Sequence, residues 1–236
     1  MAGRAAEPEV IWARPERTGR GPKPAYTRAD IAAAAVRVAD AEGLDALSMR
    51  RVAGELGCGT MSLYNYVPRK EDLHELMIDA IGAEHDIREP SGDWRADMLR
   101  NARETRAIMH RHTWVPRLMS GVYGVSPNSL RYLDHCLDCL EPLDLPYGPK
   151  MELVALLNAV VTTYVANEIA TAERTRSVPW SAEEENAVRI AYLGSQVATG
   201  AYPRLAAAFM EQSGPVDMEG VFERALGRVL DAFDPD

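Results

Sequence analysis

Apolar side chains recur at helical spacing along most of this sequence, and capping residues and glycines mark the ends of successive helices. The first stretch begins after Thr27, where Asp30 completes a capping box, and it ends at Gly43. No stretch shows the alternating β-branched pattern of strands, and no internal repeat is evident, so the pattern predicts an all-α fold. Beyond residue 68 it predicts helices near 69–84, 94–111, 127–141, 147–175, 181–199 and 217–233, with short ones near 114–120 and 203–211.

Residues 48–70, SMRRVAGELGCGTMSLYNYVPRK, predict two short helices joined by a glycine turn. Ser48 is placed to cap the first helix, and Gly57 falls where the chain reverses, a position that glycine takes without steric cost. In the second helix Leu63 and Val67 lie on one face, toward a core. The opposite face carries hydroxyl, amide and aromatic side chains, which suit the edge of a nucleic-acid groove. The segment therefore predicts a DNA-binding helix-turn-helix.

This region resembles the tetracycline-repressor (TetR) family over residues 27–83. The run LGCGTMSLYNYVPRKEDL carries the family's Leu-Gly turn, a Leu-Tyr pair, an aromatic-aliphatic pair and a lysine that opens the next helix. These are Leu56–Gly57, Leu63–Tyr64, Tyr66–Val67 and Lys70. Gly54 in mid-helix and Cys58 in place of valine depart from the family pattern. Further along, residues 112–114 and 201–203 resemble stretches of the tetracycline-repressor type of C-terminal domain.

The resemblance implies an N-terminal three-helix head, containing the helix-turn-helix, joined to a larger helical domain that binds an effector and dimerises. We expect the head at residues 27–83 and the larger domain at residues 84–236. Residues 1–26 are rich in proline, glycine and arginine, which predicts a flexible basic arm. Two interpretations of the arm stay open: a solvated tail, or a segment that follows the DNA minor groove.

Composition is typical of a soluble protein of the cytoplasm. The 236 residues are 47% hydrophobic and 26% charged. No uninterrupted apolar stretch reaches the ~18–20 residues of a membrane span, and the first residues lack the pattern of a secretion signal. Only three cysteines occur, which argues against a disulfide framework and favours a reducing compartment.

The net charge of −9 is unevenly distributed along the chain. Residues 1–79 hold 11 basic and 12 acidic residues, a balance of −1, whereas the remainder holds 15 and 23, a balance of −8. Within residues 48–70, four cations accompany one acid, Glu55; the cations are Arg50, Arg51, Arg69 and Lys70. Positive charge is therefore concentrated where a phosphate backbone would lie.

The candidate DNA contacts lie on and around the second helix of this motif. Arg69 and Lys70 stand at a helix N-terminus, where cations oppose the helix dipole, so a docked phosphate would account for them. We expect Lys70 and Tyr64 to contact the DNA backbone, and Arg50, by its family position, and Asn65 to touch bases. Alternatively, Tyr64 packs against the first helix and Met61 covers the turn. The predicted set is Arg50, Thr60, Met61, Ser62, Tyr64, Asn65, Tyr66 and Lys70.

A single recognition helix reads few base pairs, so we expect a homodimer on a near-palindromic operator in double-stranded DNA. The helices near 147–175 and 217–233 carry broad apolar stripes, and in related proteins two such helices per subunit form an intermolecular four-helix bundle. The stripes are Leu153, Leu156, Leu157, Val160, Val161 and Tyr164, and Val221, Phe222, Leu226, Val229, Leu230 and Phe233. The alternative is burial of both stripes within one subunit, and we expect each helix to serve both purposes.

The resemblance also implies a small-molecule pocket in the larger domain. Asn158 and Thr162 are polar residues on an apolar helix, and when buried they need a partner that a ligand would supply. Packing of Asn158 at the dimer seam explains that residue equally well. Methionine and aromatic enrichment favours an apolar ligand. The candidate ligand-binding residues are Trp114, Met119, Tyr123, Tyr132, His135, Asn158 and Thr162, with Thr163 beside them.

The sequence offers little support for an enzyme, a metal site or a cofactor. Cys136 and Cys139 form a C-x-x-C beside His135, but a zinc site needs four suitably placed ligands and no second pair is present. Nucleophile-elbow, phosphate-loop and H-E-x-x-H motifs are absent. We therefore expect a dimeric transcriptional regulator, a repressor that a small apolar or aromatic molecule releases from its operator. Two alternatives remain: control by a protein partner or a role in chromosome organisation, and a helical ligand-binding protein without DNA affinity.

Overall fold

The computed structural model describes residues 10–14, 26–119, 125–211 and 217–234, and every regular element in these ranges is helical. The predicted all-α class is confirmed. The α-helices are α1 (Arg28–Glu42), α2 (Met49–Leu56), α3 (Thr60–Tyr64), α4 (Lys70–Gly82), α5 (Trp94–Arg111), α6 (Val115–Met119), α7 (Pro127–Cys139), α8 (Tyr147–Ser177), α9 (Ala182–Ala198), α10 (Pro203–Glu211) and α11 (Met218–Asp231). Two 3-10 helices span Ile11–Ala13 and Leu44–Ala46.

Local capping sets the boundaries of these helices. The Thr27 hydroxyl accepts a hydrogen bond from the Asp30 amide, and the Asp30 carboxylate accepts one from the Thr27 amide, which starts α1. Ser181 begins α9 with the same reciprocal arrangement. Gly43 and Gly57 end α1 and α2 with φ of +83° and +69°, a region of backbone conformation that favours glycine. The helix ends predicted from caps and glycines are confirmed here.

Helices α1 to α4 form the N-terminal head around one apolar core. α1 packs against α2 and α4, and α2 packs against α3. The side chains of Ile31, Val52, Leu63 and Leu73 are 0–1% exposed in this core. Burying an aliphatic side chain of this size contributes about 1.5–3 kcal/mol, so each helix of the head is held mainly by such contacts.

The N-terminal segment corrects one expectation. Residues 1–26 are predicted as a flexible arm, yet Ile11 is 1% exposed and belongs to the hydrophobic core. Trp12 packs against the same core, and its indole N–H points to a Glu75 carboxylate oxygen on α4 at 3.5 Å. The Arg28 guanidinium donates to the Arg14 carbonyl at 2.9 Å. Two large apolar side chains therefore anchor residues 10–14; residues 1–9 and 15–25 lie outside the described ranges.

The C-terminal domain, α5 to α11, is built around the long helix α8, which contacts α5, α6, α7 and α11. By length and composition alone α8 could cross a membrane, although Asn158 and Thr162 interrupt its apolar sequence. α4 joins this domain to the head by packing on α6 and α7. Gly82 permits the approach to α7, because an added Cβ would lie 3.2 Å from the Asn128 Cβ. Asp79 fastens the same contact by accepting hydrogen bonds from the Asn128 amide and side chain.

The two predicted apolar stripes each divide between an inner and an outer face. On α8, Leu153 and Val161 are fully buried within the chain, whereas Leu156 is 42% exposed. On α11, Phe222 is fully buried and stacks edge-on against Tyr164, with their ring centroids 5.5 Å apart. Leu157, Leu226 and Leu230 share the inner face, and Val160, Val221, Val229 and Phe233 are half-buried. Packing within the chain thus buries one face of each helix and leaves apolar side chains partly exposed on the other face.

Candidate DNA-reading surface and effector cavity

Helix α3 presents a polar and aromatic face to solvent on the head. It spans 5 residues, and Leu63 and the following Val67 anchor it at 1% and 0% exposure. On the other side Met61 is 79% exposed and Tyr64 is 42% exposed. Ser62 and Asn65 are also exposed, whereas Thr60 and Tyr66 are half-buried, with Tyr66 packed against the core. The face of α3 that is predicted to read DNA is therefore accessible to solvent. Among the predicted DNA-contacting residues, Tyr66 also packs against the core.

The four cations of residues 48–70 differ in their partners. Arg51 pairs with Glu42 at 2.7 Å and with Glu55 at 3.1 Å. Arg69 pairs with the buried carboxylate of Asp72, which also accepts a hydrogen bond from the Arg69 amide. By contrast, Arg50 and Lys70 are exposed, and no ion pair to either is found within the described ranges. Arg69 is therefore explained by its pairing with Asp72, and the expectation that a docked phosphate is needed to account for it was wrong. For Lys70, which has no such partner among the described residues, a docked phosphate remains the explanation.

A cavity of about 220 Å³ lies in the C-terminal domain beside the end of α4. Its walls come from five helices and from His85, three residues beyond the end of α4. The lining residues are Ile78, Ile81, Gly82, His85, Thr105, Ile108, Met109, Val115, Met119, Ser129, Tyr132, Leu133, Asn158 and Thr162. This lining includes no Asp, Glu, Lys or Arg among the described residues, so its surface is apolar with a few neutral polar groups.

Three of those polar groups, on His85, Thr105 and Tyr132, form a connected chain of hydrogen bonds. His85 Nδ1 lies 3.3 Å from the Gly82 carbonyl oxygen, and its Nε2 lies 3.2 Å from the Thr105 hydroxyl. The Thr105 hydroxyl donates to the Asn101 carbonyl and lies 3.2 Å from the Tyr132 hydroxyl. Burial lowers the pKa of His85 and raises the pKa of Tyr132 well above its ordinary value, so both rings are neutral near pH 7. These three side chains therefore give the cavity wall hydrogen-bonding groups that carry no charge.

The structure places the predicted ligand-binding residues in different surroundings. Met119, Tyr132, Asn158 and Thr162 line the cavity, and Thr163 is exposed on α8 instead. Trp114 is 3% exposed but does not line it, because its indole N–H donates to Asp40 of the head at 2.7 Å. His135 points elsewhere, against Cys139 and toward an open cleft near Arg131 and Tyr147. Tyr123 lies outside the described residues.

Sequence reasoning missed the cavity wall formed by α4 and α5. His85 follows the last turn of α4, and Thr105 lies in the buried stripe of α5 that includes Met98, Asn101 and Ile108. A polar residue inside a buried stripe is the signal that singles out Asn158 and Thr162, and it would have identified Thr105 as well. No sequence pattern identifies Ile78 and Ile81, since core and cavity positions share the same periodicity.

The two cysteines of the C-x-x-C motif lie on the buried face of α7, beside Asn101 of α5. Cys136 and Cys139 are fully buried, and the Asn101 amide nitrogen lies 3.8 and 3.9 Å from their sulfurs. Burial raises the pKa of the Cys136 thiol to about 12 and also raises that of Cys139, so neither is a thiolate near pH 7. Within the described ranges, no group of three or more His, Cys, Asp or Glu side chains is arranged to hold a metal ion.

Comparison with known proteins matches both the head and the C-terminal domain to family models of tetracycline-repressor-like regulators. Residues 31–77 match the family model of "Bacterial regulatory proteins, tetR family", and residues 88–233 match that of the "Tetracyclin repressor-like, C-terminal domain". The HTH-type transcriptional repressor DrrR1 of Streptomyces coeruleorubidus is 34% identical over 228 residues, 96% of this chain and 84% of that protein.

Solved structures show the same arrangement of helices. ActR of Streptomyces coelicolor, a TetR family protein crystallised with actinorhodin, superposes with a TM-score of 0.73 at 27% identity, covering 88% of this chain and 96% of that one. BioQ, solved with its double-stranded DNA operator, matches with a TM-score of 0.55 at 21% identity over 61% of this chain and 88% of that one. The BioQ match concerns the fold alone.

Proposed function

This chain belongs to the TetR family of bacterial transcriptional regulators, and from that premise we propose that it is a homodimeric repressor released from its operator by a small uncharged molecule. The molecule would fill the cavity of the C-terminal domain. The head would read the operator with α3, using Arg50, Lys70 and the exposed side chains of that helix. Such a protein would act in the cytoplasm, where its operator lies.

The observation that carries this proposal is the position of α4. Its first residue, Lys70, stands beside the DNA-reading surface, and its last turns supply Ile78, Ile81 and Gly82 to the cavity wall. Lys70 and Ile81 are separated by about 16 Å at the rise of an α-helix. A ligand that displaces the cavity end of this helix would also move its DNA end. The effector releases DNA only if it binds better to a head spacing that the operator does not accept.

The lining supports an uncharged, largely apolar effector with a few hydrogen-bonding groups. Burial disfavours a charged ligand where no countercharge is present, and the described lining supplies none. Tyr132, Thr105 and Asn158 line the cavity, and their hydroxyl and amide groups would hydrogen-bond hydroxyl or carbonyl groups of an aromatic molecule. At about 220 Å³ the cavity lies below the roughly 300–1,000 Å³ of drug-sized pockets, which favours a compact ligand or one that widens the site. The actinorhodin complex of ActR provides a precedent for an aromatic ligand in this fold.

The outer faces of α8 and α11 are the proposed dimer surface. Leu156 is exposed on α8, and Val229 and Phe233 are half-buried on α11, next to positions that pack inward. Apolar side chains left exposed on the outer faces of packed helices support an interaction surface at this position. A two-fold pair would supply two α3 helices, one from each subunit, and two such helices are what a palindromic operator requires.

The decisive experiment is a fluorescence-anisotropy titration of the dimer against duplex DNA selected from a random pool, repeated over a range of salt concentrations. We expect specific binding whose logarithm falls linearly with the logarithm of salt, because phosphate contacts release counterions. Absence of binding at about 50 mM salt, or a flat salt plot, would exclude a DNA-binding regulator.

The effector is tested by adding a library of neutral aromatic compounds to the preformed complex. Compounds that release DNA should lose this effect in Asn158→Leu, which removes a polar group of the cavity, while the variant still binds DNA. The control is Asn186→Leu, the same substitution at an exposed position of α9 outside the cavity lining, which should behave as the unmodified protein. Release by protein fractions but by no small molecule would instead support control by a protein partner.

A further inference from the structure

The head is tied to the C-terminal domain by a second connection besides α4. Asp40, near the end of α1, directs one carboxylate oxygen at two groups of the other domain. The Trp114 indole N–H donates to it at 2.7 Å, and His112 Nδ1 lies 2.8 Å from the same atom. The other His112 nitrogen lies 2.9 Å from Glu84, just after α4. We refer to Asp40, Glu84, His112 and Trp114 as the clasp.

We expect the clasp to stabilise the contact between the two domains more than a surface ion pair would. His112 is 9% exposed and Trp114 is 3% exposed, and the two rings meet edge-on with centroids 6.0 Å apart. The low exposure of these two rings makes the loss of their hydrogen bonds costly, although the Asp40 side chain that accepts them is 32% exposed. By comparison, Arg117 and Asp45 also bridge the two domains at 2.8 Å, but both side chains are well exposed, and such pairs contribute little.

The short helix α6 connects the clasp to the cavity. Trp114 immediately precedes α6 and faces the head, while Val115 and Met119 of α6 line the cavity. Consecutive residues, Trp114 and Val115, thus contact the head on one side and the cavity on the other. Displacement of α6 by a ligand would draw the Trp114 indole away from Asp40.

We propose that the clasp is a positioning device that holds α1, and with it the head, in the DNA-binding orientation, and that α6 opens it when the cavity is filled. Asp40 and Trp114 are positioning residues in this scheme, since neither contacts the cavity or the exposed face of α3. The part of the inference that concerns cavity filling rests on the proposed function. The part that concerns head orientation does not, because it follows from contacts within one chain.

The test measures the separation of the two heads by pulsed electron paramagnetic resonance, with a spin label on Cys58. Cys136 and Cys139 are fully buried, so the label reports from the half-exposed Cys58 in the turn of the head. We expect Asp40→Asn and Trp114→Phe to broaden the distance distribution, with helicity unchanged. If the competent orientation falls to about one-tenth of the population, the apparent Kd for selected operator DNA rises about tenfold.

Asp30→Asn is the matched control, since it makes the same acid-to-amide change on α1, and within the described ranges the Asp30 carboxylate accepts hydrogen bonds from Thr27 alone. Distances and operator affinities of the Asp40 and Trp114 variants equal to those of this control would overturn the proposal. A thermal-unfolding double-mutant cycle adds a readout that needs neither DNA nor a dimer. The double variant should lose less stability than the sum of the single variants, because both remove one bond; additive losses would contradict the clasp.

Coupling to the cavity is tested by filling the cavity with a side chain. Leu133→Trp enlarges a half-buried residue that α7 contributes to the cavity wall. We expect it to shift the Cys58 distance in the otherwise unmodified protein and to shift it much less when Asp40→Asn and Trp114→Phe are also present. No shift, or equal shifts in both backgrounds, would refute α6 as the route. Failure of the unmodified protein to bind any selected DNA would refute the proposed function instead, while leaving the distances interpretable.

Discussion

Lys70 provides the sharpest test of how the head contacts DNA, and Arg51 provides its control. Both are cations of the same motif, and charge counting treats them alike. The structure separates them, because Arg51 is held by Glu42 and Glu55 whereas Lys70 is exposed at the first position of α4. The pKa of Glu55 is held below its ordinary value by Arg37 and Arg51, which agrees with Arg51 serving a carboxylate rather than a phosphate.

The expected magnitude follows from counterion release. Each neutralised phosphate contributes about −0.9 to the slope of log K against log salt for duplex DNA. Lys70→Ala should therefore make the slope shallower by about 0.9 for each half-site contact, which is about a 3.5-fold change in relative affinity over a fourfold change in salt. Arg51→Ala should leave the slope unchanged, although it removes the same charge.

The assay is the anisotropy titration at four or more salt concentrations, performed on both variants with selected operator and with unrelated duplex DNA. Lys70→Ala should weaken binding to both DNAs by a similar factor, since phosphate contacts carry no sequence information. Circular dichroism would establish that both variants remain folded. Equal slopes for Lys70→Ala and the unmodified protein, or an equal effect of Arg51→Ala, would refute the assignment of Lys70 to the phosphate backbone.

Three further predictions concern base reading, the head and acid stability. Arg50→Ala should relax preference at one operator position by roughly 1–3 kcal/mol, and a uniform loss over all sequences in a binding selection would contradict this. Gly54→Ala should stabilise the head by about 0.8–1 kcal/mol, because α2 has open space for a Cβ at this position. Gly57→Ala should destabilise the head by roughly 1–2 kcal/mol, because Gly57 has a positive φ. A calorimetric Tm that moves in the same direction in both variants would refute the reasoning. Burial opposes but does not outweigh the Ser91 amide and the Arg100 guanidinium, which lower the pKa of Asp97. Its contribution to stability should thus be present above about pH 4 and lost as pH falls further, so that denaturant titrations of Asp97→Asn and the unmodified protein converge in acid; a constant gap would contradict this.

Much of the helical framework can be predicted from the sequence because its signals are local. The Thr27 and Ser181 capping boxes act over three residues, and glycine at position 57 ends α2 by its own backbone preference. The inward positions of α3, Leu63 and Val67, follow from the helical period alone. Such features need no knowledge of what lies across the molecule.

The predictions that failed depend on partners distant in the sequence. Trp114 is predicted at the cavity but bonds to Asp40, a residue 74 positions away. His135 packs against Cys139 beside an open cleft rather than at the cavity, and a helical period cannot tell which buried face meets empty space. The sequence predicts Ile11 in a flexible arm because no sustained period surrounds it, yet two large apolar side chains, Ile11 and Trp12, suffice to dock a short segment.

The sequence by itself determined the helices, their caps, the glycine turn and the outward face of α3, since each is set by interactions within about one helical turn. Only the tertiary structure decided that α4 reaches the cavity and that Trp114 faces the head. These contacts depend on the angles and offsets at which helices pack, and many side-chain patterns are compatible with a given packing.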